Sequence, residues 1–97
     1  MEPVTIKLTT PIEDIKGNQV TELVVNSPTG RDWTVVGGRP FSINGDESLS
    51  FDAGKMLKYA ERCAGHPANI IESLSFQDRG VLEDTIMGFF GGSSQDS

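Results

Sequence analysis

The sequence predicts an α+β fold in which an N-terminal antiparallel β-hairpin packs on a C-terminal cluster of about three helices. Apolar and polar residues alternate in the first part of the chain, which is the period of a strand with one buried face. From Ala53 onward, apolar residues recur every three or four positions, which is the period of an amphipathic helix. The 97 residues are enough for one domain, which we expect to span residues 1–90.

The first strand is predicted over residues 4–9, where the apolar side chains share one face, and Pro11 is expected to end it. A second β-rich run, residues 20–25, can return antiparallel after a polar turn at residues 16–19. An isolated hairpin is only marginally stable in water. A later part of the chain must therefore cover one of its faces.

The middle of the chain leaves two elements undecided. Thr29 is followed three positions later by Asp32, which is typical of a helix start, but residues 33–36 are aromatic or β-branched and favour a strand. Residues 39–51 form either a loop or a small second hairpin, because the turn-forming residues 44–46 separate two pairs of apolar residues.

A first helix of the C-terminal half is predicted from Ala53 to a stop at Gly65 and Pro67. Its apolar stripe consists of Ala53, Met56, Leu57, Ala60, Cys63 and Ala64. Pro67 can serve as the first helical residue of a short second helix. The apolar residues of that helix are Ile70, Ile71 and Leu74.

Ser75 is expected to cap a third helix, with the Asp78 carboxylate accepting from the free amides at its start. The apolar stripe of this helix consists of Leu82, Ile86, Phe89 and Phe90. Residues 91–97 are small and polar and are predicted to form a flexible tail.

Few residues suggest catalysis or metal binding. Cys63 and His66 lie three positions apart, but a structural zinc site needs four ligands and no second pair is present. Because Cys63 falls on the apolar stripe, we interpret it as a core residue. Carboxylates that are adjacent in sequence do not share a helix face, which disfavours a paired acid and base. We therefore expect neither an enzyme nor a bound cofactor or metal.

Charge and cysteine content exclude other classes. Fourteen acidic and eight basic residues give a net charge of −6, which disfavours nucleic acid as a partner. This charge either suits a basic protein partner or serves solubility alone. No apolar run approaches the roughly 20 residues of a membrane span. The lone cysteine, and an N-terminus without a basic leader or apolar signal core, predict a reducing compartment without export.

Apolar surface is the remaining candidate for function. Phe89 and Phe90 are neighbours on a helix and point about 100° apart, so one can face the core while the other anchors a partner. Alternatively, both close the core. Trp33 presents the same two alternatives. The predicted partner-binding residues are Trp33, Leu82, Ile86, Phe89 and Phe90.

Several short motifs occur in a characteristic order along the chain. The hairpin contains the start of a run that begins at residues 22–23 and ends in residues 28–32. A helix closing on residues 63–65, with Pro67 after it, comes next. The order is completed by a last helix with Leu74, Asp78 and Leu82 that ends in residues 88–90. Over roughly residues 4–90, this order resembles the phage tail assembly chaperones of Mu-like and P2-like contractile-tailed phages. The stretch from Gly37 to Ser50 departs from that pattern, since a shorter or more helical connection is usual there.

The resemblance implies a non-virion protein that binds the tape measure protein in the host cytoplasm and keeps it soluble until the tail tube forms around it. It also implies a possible second partner, a longer form of the chain made by ribosomal frameshifting near residues 88–90. The alternative class is a small structural tail component, such as a tail completion or tube-capping protein. A DNA-mimicking inhibitor fits poorly, because 23% charged residues is too few for a phosphate mimic.

Overall fold

The computed structural model describes residues 2–91, which form two β-hairpins and four helices. The strands are β1 (Val4–Glu13), β2 (Gln19–Val25), β3 (Phe41–Ile43) and β4 (Leu49–Phe51). The helices are α1 (Gly30–Val36), α2 (Ala53–Ala64), α3 (Ala68–Glu72) and α4 (Phe76–Gly91). An N-terminal antiparallel hairpin followed by helices confirms the predicted α+β class, with α1 added to the expected three helices.

The prediction that Pro11 ends the first strand is wrong. Lys7 pairs with Glu22 and Ile12 pairs with Val20, so the register shifts between Lys7 and Ile12 and the ladder then resumes. Pro11 lies in this irregular stretch, where its missing N–H removes no bond from the ladder. β1 therefore continues past Pro11 to Glu13.

The two undecided elements are a helix and a hairpin. In α1, the Thr29 hydroxyl accepts from the Asp32 amide at 3.2 Å and the Asp32 carboxylate accepts from the Thr29 amide at 2.8 Å. This capping box satisfies two otherwise free donors and outweighs the strand preference of residues 33–36. β3 and β4 pair antiparallel, which is the hairpin alternative for residues 39–51.

The core lies between the β1–β2 hairpin and helices α2, α3 and α4. Its buried apolar residues are Ile6, Ile12, Leu23, Val25, Val36, Met56, Tyr59, Ala60, Cys63, Ile70, Ile71, Leu74, Leu82 and Ile86. The predicted stripe of α2 supplies three of these, while Ala53 is exposed at the start of the helix.

Smaller corrections concern the helix ends. Pro67 is the residue before α3 rather than its first helical residue. Gly91 ends α4, so it does not belong to the predicted tail, and the rest of that tail lies outside the described residues. None of the helices within residues 2–91 combines the length and apolarity that a membrane span requires.

Candidate partner-binding surface

The structure divides the five predicted partner-binding residues into two groups. Leu82 and Ile86 are 0% exposed and pack in the core, so in this conformation they offer no surface to a partner. Trp33, Phe89 and Phe90 line one open cavity of about 320 Å³. We call this cavity the Trp33 groove. Its remaining lining residues are Ser27, Pro28, Thr29, Gly30, Arg39 and Tyr59.

Phe90 lies at the centre of an aromatic cluster beneath the groove. Its ring centroid is 5.0 Å from that of Tyr59, 6.2 Å from that of Phe41 and 6.3 Å from that of Trp33. The Tyr59 and Phe41 rings both meet it edge-on, which is a favourable aromatic geometry. Phe89 and Phe90 are both half-buried and both pack against the core. Their packing therefore fits the alternative in which both residues close the core. It fits less well the alternative in which one residue is buried and the other is a free anchor.

Tyr59 fixes one wall of the Trp33 groove. Its side chain is fully buried, and its hydroxyl donates to the Gly38 carbonyl at 2.7 Å. Burial raises the pKa of this hydroxyl, so it stays protonated as a donor. The bond ties α2 to the connection between α1 and β3.

Trp33 is the most exposed aromatic residue of the groove, with 44% of its surface accessible. The Arg39 guanidinium carbon lies 5.6 Å from the centroid of the indole ring, within the range of a cation–π contact. The groove therefore has an apolar wall with one cation at its rim.

Asp32, the residue before Trp33, connects α1 to α2. Arg62 Nε of α2 donates to the Asp32 carboxylate, which also completes the cap of α1. Partial burial acts to raise the pKa of Asp32, but the hydrogen bonds from Arg62 and Thr29 outweigh it and lower that pKa below its usual value. A charged Asp32 thus links α1, the helix that carries Trp33, to α2.

Sequence reasoning missed Tyr59 and Arg39. Tyr59 follows Met56 by three residues and precedes Cys63 by four, so helical spacing alone would have added it to the stripe. Arg39 carries no comparable signal, because its contact with Trp33 depends on how the chain turns at Gly37 and Gly38.

The titratable side chains form no cluster suited to metal binding within residues 2–91. Burial raises the pKa of the Cys63 thiol to about 11, and the nearby Asp32 charge acts in the same direction. Within residues 2–91, no three side chains of His, Cys, Asp or Glu lie close enough together to hold a metal ion. The groove, by contrast, combines an exposed indole and packed aromatic rings with polar lining from Ser27, Thr29 and Arg39, which is a surface suited to an amphipathic partner.

Open grooves with exposed aromatic side chains are typical of proteins that bind a partner. The chain belongs to a family of phage tail assembly chaperones, since the family described as phage tail assembly chaperone proteins, E, or 41 or 14, matches residues 5–91. No curated protein and no solved structure matches the chain.

Proposed function

We propose that this protein binds the tape measure protein of its phage in the host cytoplasm, keeps it soluble during tail assembly and is not retained in the virion. Membership of the tail assembly chaperone family supports a tail protein as the client. The observation that carries the proposal further is the Trp33 groove, which places an exposed indole beside half-buried Phe89.

The physical argument concerns exposed apolar surface. A long helical protein without its surrounding tube exposes an apolar stripe, and such a stripe favours aggregation. A groove of about 320 Å³ can take one or two apolar side chains of a helix, which then lies across the opening. The indole supplies much of the contact area, since aromatic anchors dominate interface energetics.

We extend the proposed partners to a longer, frameshifted form of the chain itself. Slippage near codons 88–90 would place the additional sequence after the last turn of α4. That turn carries Phe89 and Phe90, so the extension would begin next to the Trp33 groove. Sequencing the gene and detecting the longer product by mass spectrometry tests this part.

Co-expression with the tape measure protein tests the main proposal. The wild-type chain should increase the soluble fraction of the tape measure protein and should be retained with it in a pull-down. Trp33→Ser should reduce both effects. Phe76→Ser is the matched control, because Phe76 is 97% exposed and does not line the groove. If the wild-type chain neither binds nor increases solubility, the proposal is wrong.

Mass spectrometry of purified virions distinguishes the chaperone from the alternative, a small structural tail component. We expect the chain to be missing from mature particles. Its presence in stoichiometric amounts would favour the structural component instead.

A further inference from the structure

The β3–β4 hairpin presents an apolar face that is exposed except at Phe41, which is half-buried and meets the Phe90 ring edge-on. Phe41 lies opposite Phe51 and Ile43 lies opposite Leu49, so these four side chains share one face of the two-stranded sheet. Ile43 is 69% exposed, Leu49 50% and Phe51 61%. Exposed apolar side chains in such a group mark an interaction surface more often than single ones do.

The other face and the base of this hairpin are satisfied within the chain. The Asn44 side-chain amide donates to the hydroxyls of Ser48 and Ser50, at 2.9 Å in each case. At the base, the Asp52 amide donates to the Pro40 carbonyl at 2.9 Å. The hairpin is therefore an arm whose exposed apolar side chains are those of Ile43, Leu49 and Phe51.

The two ends of the arm carry opposite charges. Asp46 and Glu47 lie in the turn at its tip. Arg39 and Lys55 line a groove of about 430 Å³ at its base. Within residues 2–91, the ion pairs closer than 4.0 Å are Arg62–Asp32 and Arg79–Glu83, so neither basal cation is paired there.

The basal groove also contains one acidic residue, Asp52. Its carboxylate accepts from the Lys55 amide at 3.0 Å and so caps α2. Two cations and the positive end of a 12-residue helix therefore share this groove with a single carboxylate. The base of the arm retains a net attraction for anions.

We infer that the β3–β4 arm pairs with the arm of a second copy of this chain, in antiparallel orientation. The apolar faces stack, and the Asp46–Glu47 tip of each copy enters the basal groove of the other beside Arg39 and Lys55. This is a two-fold arrangement, in which the same patch serves both copies.

Charge complementarity within the arm favours a second copy over an unrelated partner, since one chain supplies the acidic tip, the basic base and the apolar face between them. A parallel arrangement would bring acid against acid and base against base, and like charges in contact are unfavourable. Two strands of three residues form a small contact surface beside the roughly 1,200–2,000 Å² that specific interfaces bury, so the dimer should form in a concentration-dependent equilibrium.

The contribution of the apolar side chains to dimerisation can be tested by size-exclusion chromatography with light scattering. The measurement is repeated over a series of protein concentrations. The mass should rise from that of the monomer towards twice that value. Phe51→Ser should keep the protein monomeric over the same series, whereas Phe76→Ser, which removes an exposed phenylalanine elsewhere, should not. A constant monomer mass for the wild-type chain, or a dimer that survives Phe51→Ser, would overturn the inference.

Charge reversal tests the orientation. Asp46→Lys with Glu47→Lys should give a monomer, because both ends of the arm are then positive. Arg39→Glu with Lys55→Glu should also give a monomer, because both ends are then negative. All four changes in one chain should restore the dimer, since tip and base are again opposite in charge. Failure of this fourfold variant to dimerise, with the native circular dichroism spectrum retained, contradicts the antiparallel pairing.

The dimerisation of the wild-type chain and of Phe51→Ser is independent of the proposed chaperone function, whereas Arg39 also lines the Trp33 groove, so the variants at Arg39 test the dimer alone. If the protein is a monomer but still solubilises the tape measure protein, only the inferred dimer is wrong. If it dimerises but does not solubilise the tape measure protein, only the proposed chaperone function is wrong.

Discussion

The Asp78 carboxylate, at the start of α4, accepts hydrogen bonds from β1, 69 residues earlier in the chain. The Thr9 amide lies 2.9 Å from Oδ1, the Thr10 amide 3.2 Å from Oδ2 and the Thr9 hydroxyl 3.0 Å from Oδ1. The Asp78 amide itself donates to Ser75 Oγ at 3.1 Å, which confirms Ser75 as the cap. The carboxylate thus satisfies the amides that the irregular stretch of β1 leaves unpaired.

Asp78→Asn should lower the melting temperature by several degrees. The amide group loses the charge and one acceptor, so a backbone N–H of Thr9 or Thr10 is left without a good partner in a partly buried position. Asp84→Asn is the control, because Asp84 is an exposed carboxylate on the same helix. Equal melting temperatures for the two variants, measured by circular dichroism, would contradict this role.

Acid should weaken the fold through Asp78 and Asp32. The Thr9 amide is the largest cause that lowers the pKa of Asp78, and hydrogen bonds from Arg62 and Thr29 lower that of Asp32 against the effect of burial. The resulting stability is complete above the unfolded carboxylate pKa of about 3.9 and is lost as the pH falls through the lower folded values. Urea denaturation between pH 7 and pH 2 should show a smaller loss in Asp78→Asn than in the wild-type chain.

Thr29→Ala should cost about 1 kcal/mol of unfolding free energy, because it removes the side-chain acceptor that caps α1. Since α1 carries Trp33, the same variant should change the fluorescence of this single tryptophan. Thr34→Ala, in the same helix, keeps the cap and should change the unfolding free energy by less than half of that amount. Urea titration followed by Trp33 emission measures both variants.

Cys63 should be unreactive in the folded protein. Its side chain is 1% exposed, and burial raises the pKa of its thiol to about 11, so little thiolate exists at neutral pH. A thiol-specific chromogenic disulfide should modify it slowly under native conditions and rapidly in denaturant. Rapid modification of the native protein would show that the packing of α2 differs from that described.

Glu47→Gly should act on the monomer and the dimer in opposite directions. Glu47 has φ of 71°, a left-handed conformation that costs a residue with a Cβ about 1 kcal/mol and that glycine adopts freely. The substitution should therefore raise the unfolding free energy by up to about 1 kcal/mol. It also removes a tip charge, so the dimer should require a higher protein concentration. If the unfolding free energy rises but dimerisation occurs at the same protein concentration, the charge of Glu47 takes no part in pairing.

Local signals were sufficient for much of the fold. The stripe through Met56, Ala60 and Cys63 predicts the buried face of α2, and the Thr29–Asp32 pair contains the information that makes α1 a helix. Periodicity succeeds at such places because the partner of each group lies within one or two turns of the chain.

Long-range contacts could not be read in the same way. Asp78 was expected to accept from amides at the start of its own helix, but its oxygens bond to Thr9 and Thr10, which no local pattern indicates. Leu82 and Ile86 share a stripe with Phe89 and Phe90, yet the stripe passes from the core to the edge of the Trp33 groove. Which part of an apolar stripe stays accessible depends on the elements packed against it.

Aggregation of purified tape measure protein tests the central claim most directly. Light scattering is followed after the tape measure protein is diluted from denaturant, with increasing amounts of this chain present. We predict that the wild-type chain and Phe76→Ser suppress scattering in proportion to their concentration, and that Trp33→Ser suppresses it much less. Scattering that is unchanged by the wild-type chain, or suppressed equally by Trp33→Ser, would contradict the account.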